Sequence, residues 1–250
     1  MKKERKRRPR PLPAAVAIAV LIAFGAAPSA ASAPADGAAP ALEAVAVVRA
    51  ASDLEAASAF GPAPAAAGEA CVSPAEVRLI TDTQKVWIDH TIWTRSYIVS
   101  AMTNRPDRQD VLDRLLRNQQ DIGDVFKPYY GEAAGNRLAE LLREHIVIAG
   151  AIVEAAAKGN ERDMVRLQTE WRRYADAIAA FLNGLNPNRN RKTLEDMLHT
   201  HLRLISGIVV ACLKGDWKED IRLTDENEIH MIKLADFLTD GIVKQFPEKF

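Results

Sequence analysis

Residues 194–215 read LEDMLHTHLRLISGIVVACLKG. Leu194, Met197, His201, Leu204 and Ile208 recur every three or four positions, the period of a helix that turns one face to a core. Lys214-Gly215 then supplies the left-handed stop such a helix needs. His201 interrupts an otherwise apolar face, and the same interruption occurs twice more. Leu138, Leu141, His145, Ile148 and Ile152 run to Lys158-Gly159, and Val86, His90, Tyr97 and Ala101 run to Asn104. Each histidine stands 14 residues before its helix-ending residue.

A returning helix follows each stop. Val111, Leu115, Asn118, Ile122 and Val125 share one face until Pro128. Leu167, Trp171, Tyr174, Ile178 and Phe181 return before Asn186-Pro187, and Leu223, Asn227, His230, Leu234 and Phe237 before Gln245-Phe246-Pro247. Asn118, Tyr174 and His230 lie 28, 29 and 29 residues after the three histidines. This repetition predicts an all-α bundle of about six main helices, built as three copies of one helical hairpin. Ser73-Pro74-Ala75-Glu76 opens the first helix, with Ser as cap, Pro in the first turn and an acid beside it. No segment alternates as a strand does.

Each marked residue sits about 12–15 positions from its hairpin turn, or about 20 Å at 1.5 Å per residue. The register therefore predicts that His90, Asn118, His145, Tyr174, His201 and His230 share one layer at mid-bundle. Burying six polar side chains costs stability unless they bind one another, water or a ligand. Three chemistries suit such a layer. Neutral imidazoles are ligands for zinc, copper and iron, so His90, His145, His201 and His230 are candidate ligands of a transition metal ion. Glu226, one turn before His230, completes a chelating pair. A hydrogen-bonded layer could instead fix helix register, as a buried Asn does in coiled coils. A hydrolase could use His90 as general base, with Asn118, Tyr174, Arg95 and Arg114 binding its ligand. Asp121 and Asp236 are placed to pair with Arg95 or Arg114 across helices. The chain has no nucleophile elbow, no phosphate-cradling Gly-rich loop and no HExxH.

The N-terminus reads as an export signal. Seven basic residues between Lys2 and Arg10 precede an apolar run from Ala14 to Ala27, and small residues follow to Ala35. That run falls short of the roughly 20 residues of a membrane span. Residues 1–35 are expected to be a signal peptide, or an uncleaved anchor that would be the only membrane link. Residues 36–73, rich in Ala, Pro and Gly, are expected to form a flexible spacer, and 74–250 the bundle. Without the leader the chain holds 26 basic and 32 acidic residues, a net charge of −6, which argues against a nucleic-acid partner. No motif specifies a protein partner. Export also places Cys71 and Cys212 where they could pair, though a buried thiol at 212 is the equal alternative.

Four motifs carry a resemblance: His90-Thr91-Ile92-Trp93-Thr94-Arg95, Asn118-Gln119-Gln120-Asp121-Ile122-Gly123, Pro128-Tyr129-Tyr130-Gly131 and Gln245-Phe246-Pro247. Over about residues 80–247 the chain resembles an uncharacterised family of small bacterial secreted helical proteins. Automated naming sometimes labels members acetylglutamate kinase or glycosyltransferase. The kinase label implies an α/β fold with glycine-rich phosphate loops, and this sequence has neither. The resemblance implies a helical fold and no catalytic residues. Together these readings predict an exported, non-enzymatic binding or structural protein of the cell envelope with a histidine-containing layer. A metal-dependent or acid/base hydrolase using that layer is the alternative.

Overall fold

The computed structural model describes residues 72–250. Residues 1–71, which hold the expected leader, nearly all of the expected spacer and Cys71, lie outside the described residues, as does any pairing of Cys71; Cys212 is a buried free thiol. Five helices account for nearly all of the rest: α1 (Pro74–Met102), α2 (Arg108–Lys158), α3 (Glu161–Leu185), α4 (Arg191–Lys214) and α5 (Trp217–Gln245). A 3₁₀ turn over Pro247–Lys249 ends the chain, and no strand occurs among the described residues.

Local chemistry sets the helix ends. Ser73 Oγ accepts from Glu76 N at 3.1 Å, with Pro74 in the first turn. Asn160, Asn190 and Asp216 cap α3, α4 and α5 in the same way at 3.2, 3.1 and 3.2 Å. Gly159 and Gly215 take left-handed backbone at φ 68° and 69°, the conformation that ends a helix without a Cβ clash. Asp107, at the start of α2, makes no side-chain cap: its carboxylate accepts from Ser100 Oγ at 2.5 Å and from Arg105.

The first returning helix does not stop at Pro128. It continues to Tyr130, and α2 breaks at Gly131, where φ 83° and ψ 165° lie outside the helical region. Only glycine adopts such backbone readily. The two arms of α2 fold back on each other there. Gln120 Nε2 donates to Asn136 Oδ1 at 3.4 Å, and a Cβ placed on Gly123 would collide with the carbonyl oxygen of Gly135.

Neighbouring helices in the chain pack side by side, and α5 returns against α1. Gln84 Nε2 donates to Asp236 Oδ1 at 2.7 Å and Arg95 Nη2 to Asp220 Oδ2 at 2.5 Å, so those two helices run antiparallel. Against expectation, Asp236 thus pairs with an amide and Arg95 with Asp220. Helix α4 also reaches α1 and α2. It alone among the described helices has the length and hydropathy of a membrane span, yet 61% of that window is buried inside the bundle. It is the core helix, and Leu194, Leu202, Leu204 and Ile208 are all but inaccessible.

At the end opposite the Gly159 and Gly215 turns, the α3–α4 loop buries Arg189. Its guanidinium donates to Leu238 O at 2.6 Å and lies 5.9 Å from the rings of Phe126 and Tyr130. Gly241 makes the room: a Cβ there would lie 2.6 Å from Arg189 Nε.

Candidate functional site: a buried histidine cluster

Three of the four candidate metal-ligating histidines meet inside the bundle. His90 on α1, His145 on the second arm of α2 and His201 on α4 are 2%, 5% and 4% exposed. The rings of His90 and His201 are 5.5 Å apart. Trp87 meets His90 edge-on at 5.8 Å, and Trp171 lies against His145 at 5.2 Å. Asn118 is fully buried beside His90 and donates its Nδ2 to Val86 O at 3.0 Å.

The fifth helix contributes Asn227 rather than His230. The fully buried Asn227 Oδ1 lies 2.8 Å from His201 Nδ1, and an amide oxygen only accepts, so that nitrogen carries the ring proton. Asn227 Nδ2 in turn donates to Thr91 Oγ1 at 3.4 Å, tying α4, α5 and α1 together. Asn227→Leu should therefore cost about 2–3 kcal/mol in urea unfolding at pH 7, because it leaves the His201 donor without a partner in the core. An effect below about 0.5 kcal/mol would show that the bridge carries no weight.

Burial holds the imidazoles neutral. It pushes His90 down to about 4, against a bond from Asn118 that favours the charged form. His145 falls to about 3 through burial and the proximity of His90. His201 lies well below the usual imidazole range for the same reasons, with Asn227 opposing. Nδ1 of His90 and of His145 has no hydrogen-bond partner, nor do Thr83 Oγ1 and Thr94 Oγ1 on the same inner stripe of α1. Thr94 and Trp171 also line an enclosed, largely apolar cavity of about 20 Å³, too small for an organic molecule.

The other expected site residues lie elsewhere. His230 is half-buried and donates Nε2–H to Met197 O at 2.7 Å, at the edge of the cluster. Tyr174 is half-buried in a shallow depression with Arg137 and Glu144, under the guanidinium of Arg173 at 5.4 Å. Glu226 is exposed and accepts from Arg222 at 3.0 Å, while His230 turns its Nε2 to Met197 O. Arg95 is committed to Asp220. Arg114 reaches Asp121 on its own helix at 3.2 Å and covers Trp93 at 5.3 Å. It lines an open surface groove of about 600 Å³ with Asp82, Asp89 and Tyr129.

Helical geometry explains the displacement. Trp171 and Asn227 each stand 26 residues after their histidine, not 29. Three residues further along a helix is about 4.5 Å in height and about 60° short of a full turn, enough to leave the core face. Trp171 and Asn227 were visible on the right faces, but Asn227 followed the apolar Leu223 without an obvious signal of its own. Asp220 and Arg189 carried no usable signal, for a charged residue near a turn normally reads as solvated.

Among the described residues, no group of three or more His, Cys, Asp or Glu side chains is placed to hold a metal ion. No protein-family model matches the chain, and neither the curated proteins nor the solved structures yield a match.

Proposed function

We propose that this chain is an exported, non-enzymatic binding or structural protein of the bacterial cell envelope, in which the histidine cluster fixes how the helices pack. The observation that carries this reading is the bridge from His201 through Asn227 to Thr91, which spends polar groups of three helices on one another. A register device of this kind specifies one arrangement at some cost in stability. The leader and the resemblance to secreted helical proteins support the envelope location.

The architecture is read as six helices in three related hairpins. The fold-back at Gly131 supports counting the arms of α2 separately. The equal spacing of His145 to Trp171 and His201 to Asn227 supports a common ancestral hairpin, with the first copy at 28 residues.

A metal-binding role, with or without hydrolysis, is the second reading. The two unpartnered Nδ1 atoms of His90 and His145 favour it, since a neutral imidazole nitrogen is a metal ligand. Elemental analysis of protein purified without an affinity tag separates the two. The register reading expects no stoichiometric transition metal. One zinc, copper or iron ion per chain, lost in His145→Ala protein that remains folded, would replace it with the metal reading.

A further inference from the structure

We propose that the open groove between α1 and the first arm of α2 binds the C-terminal end of a short, extended peptide, with the peptide carboxylate on Arg78 and a basic side chain on Asp82. The groove, of about 600 Å³, falls in the size range of small-ligand sites. Along its α1 wall Arg78 and Asp89 stand 11 positions apart. That is about 16 Å of helix, the length of about five residues of extended chain. The site goes beyond the register reading: it shares no residue with the histidine cluster, so either can fail alone.

Charge decides the occupant. Over most of the groove the charged side chains satisfy one another. Asp89 meets Lys85 at 2.6 Å and Arg114 at 3.7 Å, Arg114 also reaches Asp121, and Lys127 holds Asp124 at 2.8 Å. Arg78 and Asp82 stand outside this network. Both are exposed, and among the described residues neither has an ion-pair partner. An arginine four residues before an acid is also the less favourable order for a pair on one helix. About 6 Å of helix separates the two. A ligand whose carboxylate and cation lie about two extended residues apart supplies both missing partners. On α1 only Ala75 lines the groove beyond Arg78, so a chain end suits that position better than a chain that runs on.

An apolar floor lies beneath these charges. Leu79 and Val86 are buried, and Val125 and Tyr129 are half-buried. The end of the chain fixes this part of the floor, since Phe250 stacks on Tyr129 at 5.8 Å and Lys249 donates to Pro128 O at 2.7 Å. Arg78 and Asp82 both act on the Tyr129 hydroxyl: burial raises its pKa, Asp82 adds to the rise and Arg78 opposes it. The phenol therefore sits between the two charges, where an apolar C-terminal side chain of the peptide rests on it.

The test is fluorescence anisotropy at low salt, titrating the full chain into Gly-Ala-Lys-Ala-Leu labelled at its amino end. Saturable binding is expected. Amidation of the peptide carboxylate, or Arg78→Glu, should weaken it about tenfold, because each removes or reverses a charge attraction. In Asp82→Lys protein the preference should invert, with Gly-Ala-Glu-Ala-Leu binding better than the lysine peptide. Both side chains are exposed and unpaired among the described residues, so the variants should fold as the natural chain does. Absence of saturable binding, binding indifferent to amidation and to Arg78→Glu, or an unchanged preference in Asp82→Lys protein would overturn the site. So would free leucine competing as well as the unlabelled peptide.

Discussion

Arg95→Met should lower the unfolding free energy by about 3–5 kcal/mol in urea titrations at pH 7. The Asp220 side chain is wholly buried, whereas that of Arg95 keeps 34% of its surface in water. Two bonds, of 2.5 and 3.2 Å, hold the carboxylate. Removing the arginine strands a charge where water cannot reach it, and methionine restores the volume of the stem but not the counter-charge. Asp220→Asn should cost less than Arg95→Met, because the guanidinium it frees can turn to solvent. The double variant should recover part of the arginine loss. Equal costs for the two single changes would mean that the buried carboxylate finds another partner. Cys212 lies close by, its thiol pushed up to about 12 by burial first and Asp220 second, so it stays protonated and adds no second anion.

Gly123→Val is the other large effect, about 3 kcal/mol or more, read from the same unfolding curves or from failure to accumulate folded protein. The collision at Gly123 is with backbone, the carbonyl of Gly135, and with Ala139 Cβ at 2.9 Å, so no side-chain rotation relieves it. Separating the arms of α2 would also move Ile122 and Phe126, which have no exposed surface. Gly184→Ala is the matched control. Nothing lies within 4 Å of a Cβ there, and the position is in the last turn of α3, so alanine should add at most about 0.5 kcal/mol through helix propensity. A comparable small gain at Gly123 would mean that the arms are not closely apposed.

The features that local chemistry controls were legible in the sequence. Ser73 with Pro74 marks a helix start by capping, and Gly159 and Gly215 mark ends by backbone freedom, so each could be placed to the residue. Helical periodicity put His90, His145 and His201 on buried faces. The height at which two helices of a hairpin face each other is different in kind. It depends on the turn and on how far one helix slides along the other, and neither leaves a mark in a periodic pattern. A slip of three residues was enough to substitute Tyr174 for Trp171 and His230 for Asn227. The break in α2 was misplaced for a related reason. Pro128 removes one backbone bond, but the fold-back needs positive-φ backbone, which Gly131 supplies. Arg189 and Asp220 escaped notice because their burial is decided by helices far away in the chain.

The pairing of indole with imidazole has an optical corollary. Trp87 and Trp171 each touch a histidine ring, while Trp217 faces solvent. A protonated imidazole quenches tryptophan emission and a neutral one does so far less. Two of the four tryptophans thus stand against imidazole rings, and emission from those two should change wherever these histidines gain a proton.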